Sequence, residues 1–138
     1  MAERQISGVK QILGKLNLPL KTKIEYYPCP SMGSQINIIA ELENTFFGTD
    51  NLGKLGKSAE AVGAQAGQEF IKQANSNACL DKHAADQILP YMALLPNKSQ
   101  VTVSEITNHC KTNIWVVEKF IKSGRFMIEK NKVSWIQK

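Results

Sequence analysis

The stretch SEITNHCKTNIWVVEKF, residues 104–120, combines a helical apolar pattern with an adjacent histidine and cysteine, His109 and Cys110. From Thr112 onward the apolar spacing predicts a helix. Its predicted inward face comprises Ile114, Val117, Phe120 and Ile121. His109 and Cys110 lie just ahead of this predicted helix, where they fit a metal site, a nucleophile or an ordinary structural histidine.

The segments on either side indicate the fold class. Residues 99–106, SQVTVSEI, alternate as a strand, and residues 125–137, RFMIEKNKVSWIQ, predict a hairpin that turns at Lys130 and Asn131. Residues 81–95 are helical in pattern but contain Pro90, which should end or kink the helix. The order strand, helix, strand, strand is typical of an α+β fold.

The first half of the chain predicts a second group of elements. Residues 2–16 have the apolar spacing of an amphipathic helix, and KTKIEYY (21–27) and SQINIIAELE (34–43) read as two strands of a hairpin around a Pro/Gly/Ser turn. NTFFGTD (44–50) suggests a third strand. A later helix is expected after Ser58, a favourable N-cap, with an inward face of Val62, Ala66, Phe70 and Ile71. Residues 73–81 then connect two units.

Charge and cysteine content narrow the class of protein. The whole formal charge of +5 lies in residues 111–138, because residues 1–110 balance at zero. A basic terminal segment fits an anionic partner or a solvated surface. The three cysteines, Cys29, Cys79 and Cys110, have no C-x-x-C spacing and predict reduced thiols in the cytoplasm. No apolar run is long enough to span a membrane, so no membrane association is expected.

Two motifs fail as sites. NLGKLGKS, residues 51–58, ends like a phosphate loop but has Asn51 where that motif needs its first glycine. A zinc site at His109 and Cys110 would need two more ligands, and the remaining histidine and cysteines are isolated in the sequence. His83 and Asp86 share one helical face and fit a simple surface pair.

Longer matches identify a family resemblance. MAERQ (1–5), HAADQILPYMAL (83–94) and VTVSEITNHCKTNIWVVEKF (101–120), together with AELEN (40–44) and GKSAEAVGAQAGQEF (56–70), resemble the C-terminal portion of the RNA 3′-terminal phosphate cyclase family. The resemblance covers nearly the whole chain. Its most specific part is H-x-x-T-N-I followed by V-E-x-F.

The resemblance implies a reaction and its residues. The family's enzymes move AMP from ATP to a histidine and then to an RNA 3′-phosphate, which the ribose 2′-hydroxyl closes to a 2′,3′-cyclic phosphate. By the motif, His109 is the nucleophile and Cys110 a bystander. The resemblance also implies that Asp86 and Gln87 line the adenylate pocket, that His83 stacks on adenine, and that Mg²⁺ or Mn²⁺ assists.

The resemblance further implies an organisation and partners. Residues 1–78 correspond to a small inserted domain without its first strand, and residues 79–138 to the βαββ end of the last repeat. Earlier repeats would be missing. We therefore expect a cytoplasmic RNA-processing chain that forms homo-oligomers or joins a separate N-terminal cyclase chain. A noncatalytic binding module of RNA processing or ribosome assembly is the rival hypothesis, as is a split or degenerate family member.

Overall fold

A computed structural model describes residues 1–43 and 45–138, so Asn44 of the predicted strand 44–50 lies outside the described residues. The described residues contain four α-helices and five strands, and the chain divides into two compact units, Met1–Lys72 and Gln73–Lys138. Each unit has its own sheet and its own apolar core. The predicted α+β class is confirmed. No described helix has the length and apolar character that crossing a membrane requires.

The first unit packs two helices on a two-stranded sheet. Helix α1 (Ala2–Leu13) continues into a 3-10 turn (Gly14–Leu16), strands β1 (Gln35–Glu41) and β2 (Phe46–Leu52) are antiparallel, and helix α2 is Ala59–Ala74. The core is formed by Val9, Leu13, Ile36, Ile38, Val62, Ala66 and Phe70. The Ser58 hydroxyl accepts a hydrogen bond from the Ala61 N–H at 3.2 Å, so the predicted start of α2 is confirmed.

Strand β1 forms a hairpin, but its partner strand is not the predicted segment 21–27. Residues 21–27 form no strand and are exposed, whereas β1 pairs with β2 from Gln35–Leu52 to Glu41–Phe46. The segment KTKIEYY is followed by Pro28 and Pro30, and neither face of it is buried. A strand gains stability from a paired edge and a covered face. The segment 46–52 meets both conditions because Phe47 packs against the core and stacks on Phe70 at 5.0 Å.

Helices α1 and α2 approach so closely that glycine is needed at their contact. A Cβ at Gly63 would overlap the backbone carbonyl of Gln5, and one at Gly8 would overlap the carbonyl of Glu60. Arg4 and Glu60 form a two-bond ion pair beside this contact, with hydrogen bonds of 2.6 and 2.9 Å. Small residues therefore fix the spacing of the two helices.

Replacing Gly63 with alanine should destabilise the first unit by about 1–3 kcal/mol, because the helices must separate to admit the methyl group. Gly14→Ala is the matched control, since nothing lies within 4 Å of a Cβ there. Both tryptophans, Trp115 and Trp135, lie in the second unit, so tryptophan fluorescence would not follow the first unit. When urea unfolding is followed by circular dichroism, the midpoint should lie at a lower urea concentration for Gly63→Ala than for the wild-type chain. Equal midpoints for the two variants would contradict the contact.

The second unit packs two helices on a three-stranded sheet. Helix α3 is Lys82–Leu94, strand β3 is Ser99–Thr102, helix α4 is Asn108–Phe120, and strands β4 (Gly124–Glu129) and β5 (Lys132–Gln137) complete it. The antiparallel sheet has the order β3-β5-β4. Trp135 is fully buried at its centre and meets Phe126 edge-on at 4.8 Å. The predicted turn is confirmed, with Lys130 at φ 56°.

One expectation about the helices is wrong, and one of the two outcomes expected at Pro90, an end or a kink, is excluded. Phe120, predicted to face inward, is 82% exposed, because the buried stripe of α4 runs through Cys110, Ile114, Val117 and Ile121. At 3.6 residues per turn, Phe120 lies roughly 90° from the centre of that stripe. Pro90 does not end α3, which continues beyond it to Leu94.

Candidate functional site

The first turn of α4 carries His109. Thr107 is the N-cap of the helix: its hydroxyl oxygen accepts a hydrogen bond from the Cys110 N–H at 3.0 Å, and its carbonyl accepts one from the Lys111 N–H at 3.1 Å. His109 is the second residue of the helix and is exposed. The helix thus presents the imidazole to solvent at its positive end.

Helix α4 begins earlier in the sequence than its apolar pattern predicts. The apolar pattern predicts a helix from about Thr112, with His109 and Cys110 just ahead of it, but the helix begins at Asn108. Thr107 is the signal that could have revealed the earlier start, since threonine is a favoured N-cap residue. His109 and Cys110 point in different directions, because successive residues of a helix are about 100° apart.

Cys110 is a core residue. Its side chain is 0% exposed, and it belongs to the apolar cluster around Trp135. Burial raises the pKa of the Cys110 thiol, and the nearby Asp86 carboxylate raises it further, outweighing the opposite effect of Lys111. A thiol with a raised pKa contains little of the nucleophilic thiolate. The geometry and charge of the site therefore favour His109 over Cys110 as a nucleophile.

Asp86 joins α3 to the start of α4 through two different groups. Its carboxylate Oδ1 accepts a hydrogen bond from the Thr107 hydroxyl at 3.2 Å, and its backbone carbonyl accepts one from the Asn113 side-chain Nδ2 at 3.0 Å. Thr107 and Asn113 flank His109 in the sequence. Asp86, named from the sequence as a site residue, is thereby brought beside the turn that carries His109.

His83 and Gln87 lie one turn apart on α3, and both are exposed. Asp81 caps this helix by accepting hydrogen bonds from the N–H groups of His83 and Ala84, at 2.7 and 2.8 Å. No hydrogen bond or ion pair joins the side chains of His83 and Asp86 among the described residues. The first two turns of α3 and the first turn of α4 therefore carry all four residues named from the sequence, and Asp86 is the one of the α3 residues that bonds to α4 and its N-cap.

Two residues of this site, Thr107 and Asn113, were not predicted as site residues from the sequence. The apolar patterns assign Thr107 to a connection, and the family motif contains Asn113 without giving it a function. A sequence signal existed for Asn113: proline lacks an N–H, so Pro90 leaves the carbonyl of residue 86 without its helical partner. A free carbonyl on a helix face that packs against another helix needs a donor from outside its own helix.

The described residues do not provide a metal site by themselves. They contain no group of three or more histidine, cysteine, aspartate or glutamate side chains that could hold an ion. Divalent ions such as Mg²⁺ prefer several oxygen ligands, including phosphate oxygens of a bound substrate. Asp86 alone does not meet that requirement, and the divalent ion stays a prediction.

Replacing Thr107 with valine should destabilise the second unit by about 0.5–2 kcal/mol, because the Cys110 N–H and the Asp86 carboxylate both lose their partner. Thr107→Ser keeps the hydroxyl and is the matched control. Tryptophan fluorescence during urea unfolding monitors this unit, which contains Trp115 and Trp135. A valine variant as stable as the serine variant would show that the cap contributes nothing.

Comparison with known proteins shows which family model and which relatives this chain matches. The family model described as RNA 3′-terminal phosphate cyclase matches residues 3–126. Proteins named RNA 3′-terminal phosphate cyclase from Pyrococcus abyssi, Pyrococcus furiosus and Methanosarcina acetivorans are 45, 43 and 40% identical to this chain, over 88, 87 and 94% of its length. These matches cover only 35, 34 and 35% of the relatives. The chain spans about a third of the length of the curated relatives it matches.

Proposed function

The chain belongs to the RNA 3′-terminal phosphate cyclase family, and from this we propose that it supplies the nucleophilic histidine of an ATP-dependent RNA 3′-phosphate cyclase. In the proposed reaction His109 carries AMP and passes it to an RNA 3′-phosphate end. The observation that supports this most directly is the exposed imidazole of His109 in the first turn of α4, within the segment that matches the family. The substrates are ATP and an RNA with a 3′-phosphate.

The first step is a displacement at the α-phosphorus of ATP. A neutral ring nitrogen of His109 forms the new P–N bond, the P–O bond to pyrophosphate breaks, and the proton on the other ring nitrogen stays in place. An imidazole in water has a pKa near 6.5 and is mostly neutral at pH 7, so no separate base is needed. The resulting phosphorus–nitrogen bond is labile enough to release AMP to a phosphate oxygen.

The second and third steps transfer AMP and close the ring. An oxygen of the RNA 3′-phosphate attacks the AMP phosphorus, and the P–N bond to His109 breaks. The neighbouring ribose 2′-hydroxyl then attacks the RNA phosphate, loses its proton to water and displaces AMP. The product is a 2′,3′-cyclic phosphate, and His109 is free for another cycle.

The start of α4 suits a phosphate ligand. The N–H groups of Asn108 and His109 have no acceptor within the helix, because they belong to its first turn. The positive end of a helix favours an anion at that position. In the proposal these N–H groups lie near the α-phosphate while His109 attacks it.

The proposed adenylate contacts come from α3. Gln87 is exposed and can hydrogen-bond the nucleotide, and the exposed imidazole of His83 can stack on adenine. One oxygen of the Asp86 carboxylate is already bonded to Thr107. We therefore propose that Asp86 acts on the nucleotide, or on a divalent ion held by its phosphates, only through the second oxygen.

The full activity is proposed to need more than this chain. Two thirds of each relative has no counterpart here, and the described residues offer no metal cluster. A cyclase assay tests the proposal: chain, ATP, Mg²⁺ or Mn²⁺, and a 3′-phosphorylated RNA are combined with the part of the Pyrococcus abyssi relative that the match does not cover. Cyclic ends in the mixture support it. Their absence with an active full-length relative as positive control opposes it.

We also propose that the chain assembles with a second copy or with a separate N-terminal cyclase chain. Both units expose large apolar side chains: Ile39, Phe46 and Leu52 on the hairpin, and Tyr91, Leu94, Trp115 and Phe120 on α3 and α4. The sheet of the first unit consists of β1 and β2 alone among the described strands, so each has an unpaired edge. Exposed apolar surfaces and open edges favour association.

The assembly prediction has a direct measurement. Sedimentation equilibrium of the purified chain at micromolar concentration should give a mass of at least two chains, where one chain is 15.3 kDa. Phe120→Ser should lower the association constant, because it removes an exposed aromatic ring from α4. A mass near 15.3 kDa throughout the concentration range would rule out self-association.

A further inference from the structure

Pro90 lies inside α3 and changes the hydrogen bonding of the helix at one point. In a regular helix the N–H of residue 90 would donate to the carbonyl of Asp86. Proline has no N–H, so this carbonyl, in the second turn of α3, lacks its regular helical donor. The Asn113 Nδ2 of α4 donates to it instead, at 3.0 Å. A carbonyl only accepts hydrogen bonds, so the NH₂ end of the Asn113 amide must face it.

The same residue holds α4 at a second point. The Asp86 carboxylate accepts a hydrogen bond from the hydroxyl of Thr107, the N-cap of α4. One contact lies before His109 and the other one turn after it, so the two together fix both the rotation and the height of this turn. A rotation of α4 by one residue, about 100°, would break both.

His109 and Asn113 are on one flank of α4. They are four residues apart, which places the two side chains on neighbouring turns of the same side of the helix. The flank that Asn113 turns towards α3 is thus also the flank from which His109 projects. The position of the imidazole relative to His83 and Gln87 follows from how α4 is seated on Asp86.

We propose that Asn113 is a positioning residue for His109, made possible by Pro90. The proline frees the Asp86 carbonyl, Asn113 binds it, and this clamp, defined by Pro90, Asp86 and Asn113, holds the nucleophile in the orientation that attack requires. The part concerning His109 rests on the proposed function. The clamp itself is a property of the fold and is testable without any reaction.

Hydrogen exchange followed by NMR tests the clamp. The variants are Asn113→Ala, Pro90→Ala and the double variant, with Lys119→Ala as a control in the last turn of the same helix. Asn113→Ala should speed exchange of the backbone amides at positions 111, 112 and 113 about tenfold. In the Pro90→Ala background the effect should fall below about threefold, because the N–H introduced at position 90 can donate to the Asp86 carbonyl. Lys119→Ala should leave these amides unchanged.

A kinetic measurement tests the positioning role. In the cyclase mixture described above, Asn113→Ala should lower the single-turnover rate of AMP transfer at saturating ATP by about 10- to 100-fold. The half-saturating ATP concentration should change less than about twofold, since Asn113 contacts Asp86 rather than the nucleotide. Asn113→Gln, which keeps the donor, should recover part of the rate.

Two results would overturn the inference. Equal exchange effects of Asn113→Ala in the wild-type and Pro90→Ala backgrounds would show that the proline does not create the contact. A rate loss accompanied by an equal rise in half-saturating ATP would make Asn113 a binding residue. If the wild-type chain takes no AMP in the mixture, the proposed function fails, while hydrogen exchange still decides whether the clamp exists.

Discussion

Replacing His109 with alanine is expected to remove transfer of AMP to the chain, a loss of at least about a thousandfold. The reason is chemical: without the imidazole there is no nitrogen at the start of α4 to form the bond to phosphorus. The measurement is retention of radioactivity on the protein after incubation with α-labelled ATP. The mixture also contains the part of a relative that this chain does not match.

The chain provides two matched controls for this result. It has only two histidines, and His83→Ala should weaken ATP binding but keep the label. Cys110→Ala should also keep the label, although removing a buried side chain lowers stability by roughly 1 kcal/mol or more. Undiminished labelling of the His109→Ala chain would refute the assignment of the nucleophile.

The second large effect concerns the chain on its own. Purified alone, it should show little or no cyclase turnover. Correct positioning of reactants is worth roughly 7–11 kcal/mol in favourable cases, and a histidine without its substrate-holding groups loses most of it. The described residues place His109 in the first turn of α4 and Asp86 and Gln87 in the second turn of α3, and they contain no group of three metal ligands. Adding the part of a relative that this chain does not match should raise the rate of cyclisation by several orders of magnitude.

The prediction that the chain alone has little turnover has one control and one contradicting result. The part of the relative that this chain does not match, mixed with the His109→Ala chain, should stay inactive. This control excludes activity that comes from the added segment alone. Multiple turnovers by the purified chain, with no added segment and with the His109→Ala chain inactive, would show that residues 1–138 contain a complete active site.

Parts of the fold followed from local sequence patterns. Helix α2 was predictable because Ser58 caps it and Val62, Ala66 and Phe70 recur on one face. The β4–β5 hairpin was predictable because a two-residue turn at Lys130 separates two alternating strands. Both signals lie within one element or between neighbours in the chain.

The strand partner of β1 was not predictable in the same way. KTKIEYY and the segment around Phe46 both resemble strands, and the choice between them depends on which one covers its face. Phe47 packs on Phe70 of α2, a contact between distant positions. Local pattern alone does not encode such a contact, and tertiary packing overrides strand propensity.

The features of the candidate site also differ in whether local sequence predicts them. The motif proposes a role for His109, but the apolar pattern did not predict its place in the first turn of α4. The Asp86–Asn113 bond depends on the packing of α3 against α4, and its only local sign is Pro90 one helical turn after Asp86. Phe120 was misplaced because a stripe of four inward residues tolerates more than one helical phase.

We propose that His109 becomes covalently bound to AMP. The most direct test is peptide mass spectrometry of the chain after incubation with ATP, Mg²⁺ or Mn²⁺ and the complementary part of a relative, at alkaline pH to preserve the phosphorus–nitrogen bond. The proposal predicts that the peptide containing His109 gains the mass of AMP and that fragmentation assigns it to this histidine. AMP on any other residue, with the His109 peptide unmodified, would contradict it.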